Sequence, residues 1–101
     1  MSETDLFRPA TEPKTIQDQF GTIKSFIQKR AFSDAAKLCQ GLLNNPLVES
    51  EKIEILYFLC VAKRCENNLD DALDTVSTLL SLKSDHSRAL QERGYCYLAK
   101  N

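Results

Sequence analysis

The chain has no tryptophan, one histidine, one methionine, three glycines and three prolines among its 101 residues. The glycines, Gly21, Gly41 and Gly94, stand 20 or more residues apart, so no glycine-rich loop exists to cradle a phosphate. Zinc needs about four clustered ligands. The only histidine, His86, lies 10 residues from the nearest of the four cysteines, and none of these falls in a Cys-x-x-Cys pair. Ser84-Asp85-His86 reads as turn chemistry rather than as a nucleophile with its base. A charge excess is also missing. Thirteen basic residues face fourteen acidic ones, six of each in residues 1–50 and seven against eight in residues 51–101. Nucleic-acid binding normally shows a basic surplus, so no nucleic-acid partner is expected. No apolar run approaches the ~18 residues of a membrane span. Met1–Lys14 has neither the basic flank nor the apolar stretch of a secretory signal. A cytoplasmic protein without metal, cofactor or catalytic constellation is the expectation.

What is present is a pattern. The chain is 43% hydrophobic and 27% charged, a balance suited to one small folded domain. Residues 1–14 are polar, hold Pro9 and Pro13, and read as a flexible leader. From Thr15 the apolar positions recur with helical spacing. Thr15-x-x-Asp18 is a capping-box pattern, followed by Ile16, Phe20, Ile23 and Ile27 on one face of a helix ending near Arg30. A second helix carries Ala35, Leu38, Cys39, Leu42 and Leu43 and stops at Asn44-Asn45-Pro46. Ser50 is placed to cap a third, with Ile53, Leu56, Leu59 and Cys60 inside and an end near Cys65. Asn68 is placed to cap a fourth, where Asp70, Asp71 and Asp74 favour the positive helix end and explain themselves without a metal. Leu69, Ala72, Leu73, Val76, Leu79 and Leu80 form its stripe. A fifth helix follows Ser84-Asp85 with Ala89, Leu90, Gly94, Tyr97 and Leu98. Nothing alternates with period two, so the fold is all-α. The cysteines Cys39, Cys60, Cys65 and Cys96 fit as reduced, small packing residues, with Cys65 on the least buried face.

The pattern repeats. Phe32-Ser-Asp-Ala35 aligns with Leu69-Asp-Asp-Ala72 at an offset of 37, and Cys39 and Leu42-Leu43 then fall on Val76 and Leu79-Leu80. Leu56 and Cys60 align with Leu90 and Gly94 at an offset of 34. Small residues midway along each helix let the pair approach closely: Cys60 and Gly94 on the first helix, Ala35 and Ala72 on the second. Two antiparallel helices with this spacing resemble the tetratricopeptide repeat. The turn Asn68-Leu-Asp-Asp-Ala-Leu73 and the segment Leu82-Lys-Ser-Asp-His86 are similar to that family's two connections, with Ser84 where proline is usual and Lys63 where an aromatic is common. The resemblance covers residues 16–101, as repeats of approximately 16–49 and 50–86 and a half repeat 87–101.

It implies antiparallel helix pairs stacked as a right-handed superhelix, a TPR-like α-solenoid of about five helices over residues 15–101. It further implies a non-catalytic protein-interaction module that takes a partner peptide in its concave groove. The groove positions implied are Lys24, Tyr57, Val61, Arg64, Arg88, Gln91 and Tyr95, with Phe20 beside Lys24. Solvated helix faces or inter-repeat packing account equally for Tyr57, Arg64, Arg88 and Tyr95. The family's clamp for chaperone-tail carboxylates is not expected, since Phe20, Phe58 and Glu92 occupy three of its positions and Arg88 alone keeps a suitable charge. The fifth helix has no partner helix, which leads to the expectation of a fragment of a longer protein. The alternative function is therefore the accessory N-terminal repeat region of a larger enzyme, similar to bacterial proteins in which such arrays precede a transferase such as a sulfotransferase. A homodimer through the terminal helix is the third expectation.

Overall fold

A computed structural model describes residues 15–101. The leader assigned to residues 1–14 lies outside the described residues. Five helices follow one another: α1 (Ile16–Gln28), α2 (Phe32–Leu43), α3 (Glu49–Cys65), α4 (Leu69–Leu82) and α5 (Ser87–Lys100). No strand occurs among the described residues, so the all-α class stands. None of the helices is long and apolar enough to cross a membrane.

Each helix starts and stops for local reasons. At the head of α1 the Thr15 hydroxyl accepts from the Asp18 amide at 3.1 Å, and the Asp18 carboxylate accepts from the Thr15 amide at 3.4 Å. This is the reciprocal capping box the sequence predicts. The head of α3 differs from expectation. Val48, not Ser50, is the residue before the helix, and the Glu51 carboxylate reaches back to accept from the Val48 amide at 3.3 Å. Ser50 is drawn into the first turn because an acidic residue three positions after Val48 supplies the bond. Asn68 also departs from its expected role. It precedes α4, but its side chain donates to the Asp71 carboxylate at 2.9 Å instead of accepting from the helix amides.

The turns that join α1 to α2 and α3 to α4 are copies of each other. Arg30 and Asn67 both sit at φ 64°, in the left-handed region. Ala31 (φ −89°, ψ 63°) and Asn68 (φ −92°, ψ 72°) follow with nearly the same backbone. In the first turn the Ala31 amide donates to the Phe26 carbonyl at 2.7 Å and the Arg30 amide to the Ile27 carbonyl at 3.0 Å; in the second, Asn68 donates to Lys63 and Asn67 to Arg64, both at 2.9 Å. These paired bonds close the helix end by satisfying its last carbonyls, as in a Schellman motif. Asparagine suits φ > 0, whereas arginine does not, so the first turn holds Arg30 against its own preference.

Neighbouring helices pack in sequence order, and beyond that α1 meets α3 and α3 meets α5, while the backbones of α2 and α4 stay more than 8 Å apart, Cα to Cα. The larger core gathers Ile23, Ala35, Ala36, Cys39, Leu42, Ile55, Phe58, Leu59 and Ala62 from α1, α2 and α3. The second is smaller: Leu56, Leu79 and Ala89, one residue each from α3, α4 and α5, with Leu43, Ile53, Tyr57, Leu80 and Leu82 against it. Ala35, Ala72 and Cys60 are fully buried, as small residues at helix contacts should be.

Gly94 is a correction. A side chain there would meet nothing within 4 Å, so no close approach accounts for this glycine among the described residues. Of the stripe assigned to α5, Ala89 is buried as expected, but Leu90, Tyr97 and Leu98 turn outward, 38%, 55% and 75% exposed. The face of α5 that is buried runs through Ala89, Glu92 and Cys96. Burial of a glutamate beside two small residues was hidden in the sequence by the larger apolar side chains on the other face.

The cysteines divide as expected. Cys39, Cys60 and Cys96 are buried and Cys65 is exposed, all as free thiols. Burial pushes the Cys39 thiol up to about 12. Burial, reinforced by the nearby Glu92 carboxylate, does the same for Cys60, to about 12. We predict that a thiol reagent at neutral pH modifies Cys65 alone in the folded protein, with Cys39 and Cys60 reacting only on unfolding. Two thiols modified at the fast rate would contradict this. Linkage gives a second readout. Thiols held neutral in the fold but ionising near the ordinary 9.0 when unfolded make the unfolded state shed protons first, so stability falls as pH rises from about 9 towards 12.

Candidate functional site

The side of the molecule formed by α1, α3 and α5 carries a shallow niche of about 230 Å³, lined by Lys24, Ile27 and Gln28 from α1 and Tyr57, Phe58 and Val61 from α3. Phe20 meets Phe58 edge-on at a centroid distance of 5.9 Å and fixes the floor on the α1 side. Tyr57 leans against Phe58 at 5.8 Å. The wall is therefore aromatic and aliphatic, with an exposed lysine at the rim. A wider concavity of about 610 Å³ runs past Gly21, Thr22 and Ser25, but α1 alone lines it and nothing encloses it.

Of the seven residues singled out from sequence, Lys24, Tyr57 and Val61 come together in the niche. Arg64 and Arg88 are engaged elsewhere, between α3 and α5. The Arg64 Nε donates to Glu92 Oε1 at 2.6 Å and its Nη2 to Oε2 at 3.3 Å, a two-pronged pair. The same guanidinium lies over the Tyr95 ring at 5.0 Å. Arg88 donates to Glu54 at 2.8 Å and covers the Tyr57 ring at 4.2 Å. Each arginine thus has both a carboxylate and an aromatic face, an arrangement that suits the planar guanidinium. Gln91 stands exposed on α5, and its side chain makes no hydrogen bond among the described residues.

His86 supports Tyr57 from behind. It precedes α5, and its Nδ1 accepts from the Ala89 amide at 3.1 Å, so the ring acts as a helix cap. It stacks on Tyr57 with centroids 6.1 Å apart. Tyr57 thus contacts both this imidazole and the Arg88 guanidinium. Burial, with a contribution from the Glu92 carboxylate, raises the phenol above its ordinary value and keeps it neutral.

Sequence reasoning passed over Ile27, Gln28, Glu54 and His86 as parts of this surface. Glu54 and Arg88 are 34 residues apart, and Arg64 and Glu92 are 28 apart. No local signal links such pairs. A signal for Glu92 did exist: it lies three residues after Ala89 and four before Cys96, on a line of small residues that reads as a buried edge.

Among the described residues, no group of three or more histidine, cysteine or acidic side chains is placed to hold a metal ion. No family model, no curated protein and no solved structure matches the chain.

Proposed function

We propose that the chain is a non-catalytic interaction module, a short tetratricopeptide-like array whose concave side is built from α1, α3 and α5 and receives a peptide segment of a partner protein. The duplicated turns at Arg30 and Asn67 support the repeat reading. The close approaches of α1 to α3 and of α3 to α5, with the α2 and α4 backbones farther apart, support the curvature. A chain of helix pairs bends towards the layer whose members touch.

The observation that carries the proposal is the niche between α1 and α3. At about 230 Å³ it is smaller than the ~300–1,000 Å³ of small-molecule pockets and matches one leucine- or phenylalanine-sized side chain. Lys24 forms no ion pair among the described residues, so its ammonium is free to meet a carboxylate. Arg64 and Arg88 pair with Glu92 and Glu54, and they brace Tyr95 and Tyr57 rather than attract an anion. The peptide read by this surface has one large apolar residue with an acidic residue close by in sequence.

A peptide array probed with the purified chain tests this. The expected selection is apolar–acidic segments. Val61→Glu, which fills the niche with charge, should weaken them at least about tenfold. Lys24→Glu should shift the preference from acidic to basic neighbours. Selected peptides that bind both variants as tightly as the parent chain would remove the niche from the function, as would an array with no selection.

A further inference from the structure

The sequence ahead of Thr15 contains a segment with the chemistry that the niche takes. Glu3-Thr-Asp-Leu-Phe7 sets Leu6 and Phe7, the one adjacent pair of large apolar residues before α1, directly after two acidic residues. In an extended stretch alternate side chains share a side. In that form Glu3, Asp5 and Phe7 fall on one side, and Thr4, Leu6 and Arg8 on the other. One side would thus offer an aromatic ring and two carboxylates, with no cation among them.

The niche offers the complement. Ile27, Tyr57, Phe58 and Val61 wall a volume of about 230 Å³, enough for one ring, and Lys24 stands exposed at the rim. The charge along this end of the chain is one-sided. Between Asp18 and Asp34 there are three cations, Lys24, Lys29 and Arg30, and no carboxylate. None of the three forms an ion pair among the described residues. The reach also suffices. Phe7 stands eight residues before Thr15, about 25 Å at the extension that Pro9 and Pro13 favour. Lys24 and Gln28 lie only about 12 and 18 Å along α1 from Ile16.

We propose that the niche is occupied by this chain's own segment Glu3–Phe7, with the Phe7 ring against Val61 and Phe58 and the Asp5 carboxylate at the Lys24 ammonium. A partner peptide must then displace it, so the segment is a built-in competitor. The inference rests on the reading of the niche given above and adds what regulates it. A tether this short holds the segment at an effective concentration of about millimolar, so a contact too weak to persist between separate molecules is populated within one.

NMR of the whole, isotope-labelled chain tests this without any partner. Nuclear Overhauser contacts between the Phe7 ring and the Val61 methyls are expected. Phe7→Ser should abolish them and move the amide signals of Lys24, Gln28 and Val61, while those of α4 stay in place. Peptides selected by the array should bind the Phe7→Ser chain at least about threefold tighter than the parent, the gain expected if the segment fills the niche about two thirds of the time. Leu6→Ser, on the other side of the segment, should change neither readout. Absence of the Phe7–Val61 contact would overturn the proposal whether or not the array selects peptides. Equal peptide affinity of the parent and Phe7→Ser chains, or an equal effect of Leu6→Ser, would do the same. So would a contact seen only between labelled and unlabelled molecules, which assigns the niche to a second copy. An array that selects nothing even with the Phe7→Ser chain, while the intramolecular contact is present, would instead remove the partner-binding reading and keep this one.

Discussion

Replacing Glu92 by alanine is expected to lower the stability of the folded chain by about 2–4 kcal/mol, which for a domain of this size is a fall in Tm of about 10 °C or more. Glu92 is 4% exposed and holds Arg64 in a two-pronged pair. Its carboxylate raises the Arg64 guanidinium further above its ordinary value, chiefly by hydrogen bonding. Arg64 is only partly buried, with 28% of its side chain exposed, so part of its charge finds water once the partner is gone. That places the cost below the 3–5 kcal/mol of a fully buried pair. Glu92→Gln should cost less, because the amide oxygen keeps one of the two hydrogen bonds although the charge is lost. The informative variant is the double one. With Arg64→Met and Glu92→Leu together, no charge is stranded, and stability should return to within about 1 kcal/mol of the parent. Urea unfolding of Arg64→Met, Glu92→Leu and the double gives the coupling directly. Additive losses would show that the two residues act separately, contrary to the geometry.

The second large effect is expected at Leu79. Leu79→Ala should cost about 3–5 kcal/mol, at the upper end for leucine truncation. Leu79 is fully buried, and it shares the smaller core with only Leu56 and Ala89 as buried partners. Because those partners come from α3 and α5, the loss should fall unevenly: amide exchange should accelerate most in α5, while α1 and α2, held by the other core, keep their protection. Uniform acceleration across all five helices would mean that the two cores form one cooperative unit.

The legible part of the molecule was local. Thr15 and Asp18 announce the head of α1, and the apolar spacing of Leu69, Ala72, Val76 and Leu79 announces α4 with its buried face. The offset of 37 found in the sequence reappears as a duplicated backbone turn. Arg30 hid its own part in it, since an arginine gives no hint of a left-handed conformation. Ser50 failed as a cap because Glu51 made the competing bond to Val48.

The candidate surface was legible in half. Lys24, Tyr57 and Val61 were named from sequence and do line one niche. The partners that decide what Arg64 and Arg88 are doing, Glu92 and Glu54, were not named for that role, because their distance along the chain leaves no trace in periodicity.

By itself the sequence determined the class, the helices of residues 15–101 and most of their ends, since caps, turns and the 3.6-residue period act between neighbours in the chain. Only the tertiary structure decided which face of α5 is covered. Leu90, Tyr97 and Leu98 have the stronger hydrophobic claim, yet Ala89, Glu92 and Cys96 are the ones buried. Small side chains and a paired glutamate let α5 lie close against α3 and α4, whereas burial of the leucine face needs another helix against it.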